Sequence, residues 1–71
     1  MNEHLQTLIE EEALNLTVYL AGGQAVKVDS VLKTYLAGDQ NIRTTMVVFR
    51  FYENGFRYLT VPLANIVAII N

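Results

Sequence analysis

Residues 44–70, TTMVVFRFYENGFRYLTVPLANIVAII, constrain this chain more than any other stretch, because they hold most of its apolar side chains and one strong turn signal. Asn54-Gly55 tolerates positive φ at two successive residues, which is what a tight type I′ hairpin turn requires. A two-residue turn there pairs Glu53 with Phe56, Tyr52 with Arg57, Phe51 with Tyr58, Arg50 with Leu59, Phe49 with Thr60 and Val48 with Val61. The two-residue period of a strand then sorts the hairpin into two faces. One carries Val47, Phe49, Phe51, Phe56, Tyr58 and Thr60. The other carries Met46, Val48, Leu59, Val61 and Leu63, with Arg50, Tyr52 and Arg57 gathered near the turn. Neither face is polar, so the pattern predicts cover on both sides. The aliphatic face matches the apolar residues 66–70 and is read as the core side.

A chain of 71 residues is one domain, and a domain of that size buries only about 60% of its unfolded surface. Yet 52% of the residues are hydrophobic, more than one small core hides, and a large exposed apolar patch marks an interface. The composition therefore predicts a homo-oligomer. Cysteine is absent, which removes disulfides and thiolate zinc sites as staples and leaves self-association. No apolar run approaches the length of about 20 residues needed to span a membrane, and the N-terminus lacks the order of a signal peptide, so the chain reads as soluble and cytoplasmic. The net charge of −2 disfavours nonspecific binding to nucleic acid, which needs basic side chains to displace counterions.

Residues 2–13 read as a helix, with Asn2 as N-cap and Leu5, Leu8, Ile9 and Ala13 on one face. The acidic run Glu10-Glu11-Glu12 falls at its end, where the helix dipole favours cations, so a short last turn is expected. That run reads as a solvated face before it reads as a metal or basic-partner site. His4, the one histidine, reads as a surface residue. Residues 14–21 alternate as a strand, with Leu14, Leu16, Val18 and Leu20 inward. After Gly22-Gly23, residues 25–36 form a long second strand. Matching Leu20 to Val26 and Val18 to Val28 requires a loop of odd length, three residues or more. The alternation slips near Asp29-Ser30, which predicts a bulge or sharp bend. Residues 37–41 are a polar loop, Ile42 opens the third strand, Pro62 belongs at an edge or a departure point, and the last strand is apolar on both faces.

The candidate binding residues are few. Arg50, Tyr52 and Arg57 share a face at the hairpin tip, where two guanidiniums flanking an aromatic ring could hold a nucleotide or phosphate; a cross-strand cation-π pair is the simpler reading. Phe49, Phe51, Phe56 and Tyr58 read as core or subunit interface rather than a base-stacking surface. Asp39 and Asn41, with Gln40 between them, are polar loop residues that suit a turn or a ligand contact. There is no nucleophile with an evident base, no metal-ligand spacing and no phosphate loop, so the chain does not read as an enzyme, and no cofactor is called for.

The order of elements, with the wording VYLAGGQAVKV and YLTVPLANIVAII, resembles the Sm-like family of Lsm and Hfq type over nearly the whole chain. The resemblance is one of pattern. It implies a mainly β fold, with a helix over residues 2–13 and a five-stranded, strongly bent antiparallel SH3-like barrel over residues 14–71. It also implies a ring of about five to seven copies, closed by the fourth strand of one copy pairing with the fifth of the next. On this chain the seam would carry Tyr58, Thr60 and Pro62 on one side and Ile66, Val67, Ile69 and Ile70 on the other. The family's RNA-binding Asp and Asn correspond loosely to Asp39 and Asn41. Its second RNA-binding pair, Arg-Gly or Lys-His before the last strand, is replaced here by Leu63-Ala64-Asn65. Val28 and Asp29 stand where the family commonly has a mid-strand glycine. In size the chain is also similar to divergent barrels encoded by phages. RNA or a nucleotide is thus the implied ligand, with a structural or protein-interaction scaffold as the alternative.

Overall fold

The computed structural model describes residues 2–71, with side chains from residue 3 onward. The capping role expected of Asn2 lies outside the described side chains. Helix α1, Asn2–Glu10, buries Leu5 and Leu8, the repeat that places one apolar stripe on one face. It is three residues shorter than expected and ends in an ordered turn. Glu12 sits at φ 52°, its N–H donates to the Ile9 carbonyl, and the Ala13 N–H donates to the Leu8 carbonyl. That pairing is a Schellman motif, in which a left-handed residue lets the chain satisfy the last helical carbonyls. Glutamate occupies the place where glycine is usual.

Six strands follow: β1 Leu16–Leu20, β2 Ala25–Val28, β3 Ser30–Gly38, β4 Arg43–Tyr52, β5 Phe56–Pro62 and β6 Ile66–Ile70. They form two antiparallel three-stranded sheets, ordered β2-β1-β6 and β3-β4-β5. The fold is thus mainly β with one N-terminal helix, as expected, but it has six strands rather than five and its sheets do not close into a barrel. The additional strand comes from the break at Asp29, where the predicted bend cuts the long second strand into β2 and β3 and carries the chain from one sheet to the other. A further bulge at Leu32 shifts the β3–β4 register between Val31 and Lys33.

Two registers differ from expectation. In β1–β2 the loop is odd in length, as the inward pattern demands, but Val18 pairs with Val26 and Leu16 with Val28, two residues along from the predicted match. In the β4–β5 hairpin, Tyr52 pairs with Phe56, Phe51 with Arg57, Arg50 with Tyr58 and Phe49 with Leu59. The loop is therefore Glu53-Asn54-Gly55, three residues rather than two. Asn54 and Gly55 do take positive φ, 56° and 113°, and the Glu53 N–H donates to the Gly55 carbonyl. Asn-Gly specifies backbone sign; it does not by itself specify how many residues the loop holds.

One residue of slip regroups every side chain on β5. The inward face is Val47, Phe49 and Phe51 with Leu59 and Val61, so the expected all-aliphatic core face is wrong by half. Val47 and Phe49 are fully buried with Leu5, Leu8, Leu16, Val18, Val28, Val31, Ile66 and Ile69. Leu14, read as inward, lies outside β1 and is 54% exposed. The outward face of β3-β4-β5 leaves Tyr52, Phe56 and Tyr58 exposed, so cover on both sides is not provided within one chain.

A three-residue 3-10 turn, Leu63–Asn65, joins β5 to β6, and the Ala21 N–H donates to the Asn65 carbonyl, fixing that turn against the end of β1. Gly38 closes β3 at φ 108°, and a Cβ there would collide with the Ile42 backbone carbonyl. A domain of this size has a stability of roughly 5 kcal/mol. Phe49→Ala should remove about 3–5 kcal/mol and leave the chain largely unfolded in a urea titration. Glu12→Gly, relieving a left-handed residue, should add about 0.5–1 kcal/mol in the same measurement.

Candidate functional site

The hairpin tip is built on the β2–β3 corner. Asp29 is held there three ways: its N–H donates to the Arg50 carbonyl at 2.7 Å, its carbonyl accepts from the Asn15 N–H at 2.9 Å, and its carboxylate accepts from Arg50 Nη2 at 2.9 Å. Arg50 and Asp29 are each about two-thirds buried, so the ion pair is only partly screened. The guanidinium lies over the Phe56 ring, 4.4 Å from its centroid, and Tyr52 meets the same ring edge-on at 5.6 Å. Pairing of Tyr52 with Phe56 and Arg50 with Tyr58 sets these side chains on one face, one strand step apart. The result is a stack of Arg50, Phe56 and Tyr52 with its cation already satisfied on one side by a carboxylate.

Arg57 is not part of it. The register places it opposite Phe51, on the other face of the sheet, where its Nε donates to the Glu53 carbonyl at 3.0 Å. The expected arrangement of two guanidiniums flanking Tyr52 is thereby corrected to one guanidinium over Phe56. Phe56 was assigned to the opposite face by the two-residue turn. Asp29, the partner of Arg50, lies 21 residues away in sequence and carried no signal beyond the broken alternation.

Asp39 and Asn41 are at the other end of β4, about 30 Å from the tip for a strand of this length. The structure therefore does not bring them near Arg50 and Tyr52 within one chain. Asp39 accepts from the Asn41 and Ile42 N–H groups at 2.9 and 3.0 Å, a local turn that turns the chain into β4. Those bonds, that of Ile42 first, hold the Asp39 carboxyl below the ordinary aspartate value.

Of the predicted seam residues, Tyr58, Thr60, Val67 and Ile70 are exposed, Val67 by 64% and Ile70 by 56%. Pro62 is half-buried at the end of β5, an edge strand, where a missing N–H costs no ladder bond. Ile66 and Ile69 are different: at 8% and 5% exposure they belong to the core of the chain itself. The slip at Tyr19 and Leu20 in the β1–β6 ladder leaves Val67 without a partner on β1. His4, read as a free surface residue, has Nε2 at 3.0 Å from the Ile69 carbonyl; since a carbonyl only accepts, Nε2 carries the proton. That contact ties the helix to the last strand.

Among the described residues no group of three or more His, Asp or Glu side chains could hold a metal ion, and no helix is long and apolar enough to cross a membrane. Comparison with known protein families, with curated proteins and with solved structures finds no match.

Asp29→Ala should cost roughly 1–3 kcal/mol in urea unfolding, because Arg50 is left partly buried without its carboxylate. For Asp39 the folded value is the lower one. Its contribution is thus fully present above the ordinary aspartate pKa and is lost as pH falls through the lowered value. Amide resonances of Asn41 and Ile42 followed by NMR should move only at pH below the ordinary aspartate range.

Proposed function

We propose that this chain is a self-assembling Sm-like module, its six strands the open form of an SH3-like barrel, which joins copies of itself into a ring and acts as a noncovalent binding module. The observation that carries the reading is that β5 and β6, two of the four edge strands, are joined directly. β5 ends one sheet and β6 ends the other, only the three-residue turn separates them in sequence, and among the described residues neither has a partner on its outer edge. Unpaired backbone donors and acceptors on an apolar edge favour pairing with another strand. An edge β5 of one copy against β6 of the next satisfies both and repeats head to tail, the geometry that closes rings. Tyr58, Val67 and Ile70 would then be covered.

RNA or a nucleotide is the ligand class this reading takes from the resemblance. Repeated around a ring, Tyr52 and Phe56 offer stacking faces, and Arg57, Asp39 and Asn41 offer polar contacts. A scaffold that binds itself and another protein without nucleic acid is the second reading. It is favoured by one observation: Arg50 is committed to Asp29, in a chain whose net charge is −2.

Light scattering should show a defined oligomer at micromolar concentration, and Val67→Lys with Ile70→Lys should dissociate it while the circular dichroism stays that of the parent. A stable parent monomer would sink the assembly reading. Ile66→Lys and Ile69→Lys are unsuitable for this test because they bury a charge in the subunit core. For the ligand, Tyr52→Ala with Phe56→Ala should weaken binding to a mixed oligoribonucleotide pool at least tenfold. An intact parent oligomer that binds no oligonucleotide at low salt selects the scaffold.

A further inference from the structure

One groove on the chain combines features that neither reading above uses. It lies between the end of α1 and the start of β3, encloses about 500 Å³, and is lined by Ile9, Glu12, Leu14, Val31, Leu32 and Arg50, with Ser30 beneath. Two of its aliphatic residues, Leu14 and Leu32, are exposed although they belong to the commonest core type. Leu14 follows the Schellman turn and Leu32 is the bulge residue of β3, so the local backbone turns both side chains outward. Arg50 lines the groove with its Nη2 donating to the Asp29 carboxylate. Glu12 stands on the groove wall, next to exposed Glu10 and Glu11, and Asp29 already neutralises the Arg50 charge.

We propose that this groove is a docking site for an extended segment of a partner protein in which aliphatic side chains alternate with lysine or arginine. The chemistry selects each part. The aliphatic side chain fills the space between Leu14, Leu32 and Ile9, where apolar area is removed from water on both sides. The basic side chain meets Glu12 and its acidic neighbours, so the acidic run at the end of the helix becomes the polar half of the site. Charge complementarity therefore points to a basic partner and disfavours nucleic acid on this face. The site stands independently of the assembly reading.

Fluorescence anisotropy with the full-length protein and a labelled, acetylated and amidated peptide of alternating leucine and lysine tests it. Saturable binding is expected, at least tenfold weaker for the same peptide with glutamate in place of lysine. Leu14→Ser should weaken the leucine-lysine peptide about tenfold or more. Glu12→Gln should weaken it several-fold and flatten its dependence on salt, whereas Gln24→Ala, in the exposed turn between β1 and β2, should leave it unchanged. Should Leu14→Ser lose its fold by circular dichroism, Glu12→Gln carries the test. The proposal is overturned if no saturable binding occurs, if both peptides bind equally, or if Glu12→Gln leaves affinity and salt dependence intact. It is also overturned if Leu14→Ser keeps its fold and full affinity, or if it keeps its fold and changes the oligomeric state, which would give the groove to a second copy of this chain.

Discussion

The corner at Asp29 is the constraint on which the two sheets depend. A strand that leaves one sheet to enter another leaves its backbone groups unpaired at the crossing, and unpaired buried groups are costly. Here the Asp29 N–H and carbonyl are both taken, by Arg50 and Asn15, and the carboxylate takes the Arg50 guanidinium. Three bonds on one residue join β4, the approach to β1 and the bend itself. This chain uses a residue with a side chain and makes that side chain part of the joint.

From that joint the hairpin tip inherits its chemistry. Arg50 cannot serve both as the anchor of the corner and as a free cation, and its position over Phe56 shows where its remaining face goes. The tip is consequently aromatic first and charged second. Three of the seven acidic side chains gather elsewhere, at the end of α1, where the dipole opposes them and where the turn forces Glu12 into a left-handed conformation.

Much of the architecture was legible in the sequence because it rests on period and on breaks in period. Leu16 and Val18, and Leu5 and Leu8, declared their faces by spacing alone, and the slip at Asp29-Ser30 announced the sheet change. What could not be read was parity. Asn54-Gly55 fits two-residue and three-residue loops alike, and the difference moved Arg57 to the other face and brought Phe56 beneath Arg50. The apolar last strand was similarly ambiguous, because a strand that is apolar throughout does not say which of its residues serve its own core. Burial divides it, with Ile66 and Ile69 inside and Val67 and Ile70 outside. The contacts of Asp29 with Arg50 and of His4 with Ile69 join distant positions and leave no local pattern.

The pairing of β1 with β6 fixes an order of events as well as a shape. β3, β4 and β5 are neighbours in sequence and in space, so their sheet closes through short loops. The other sheet needs the first strand to find the last, across nearly the whole chain, and loop closure of that length is paid before its contacts form. During synthesis Leu16 and Val18 emerge well before Ile69 of their partner strand. The domain therefore cannot finish its core until β6 has emerged. Until then α1 and β1 hold an apolar surface that the rest of the chain has yet to cover.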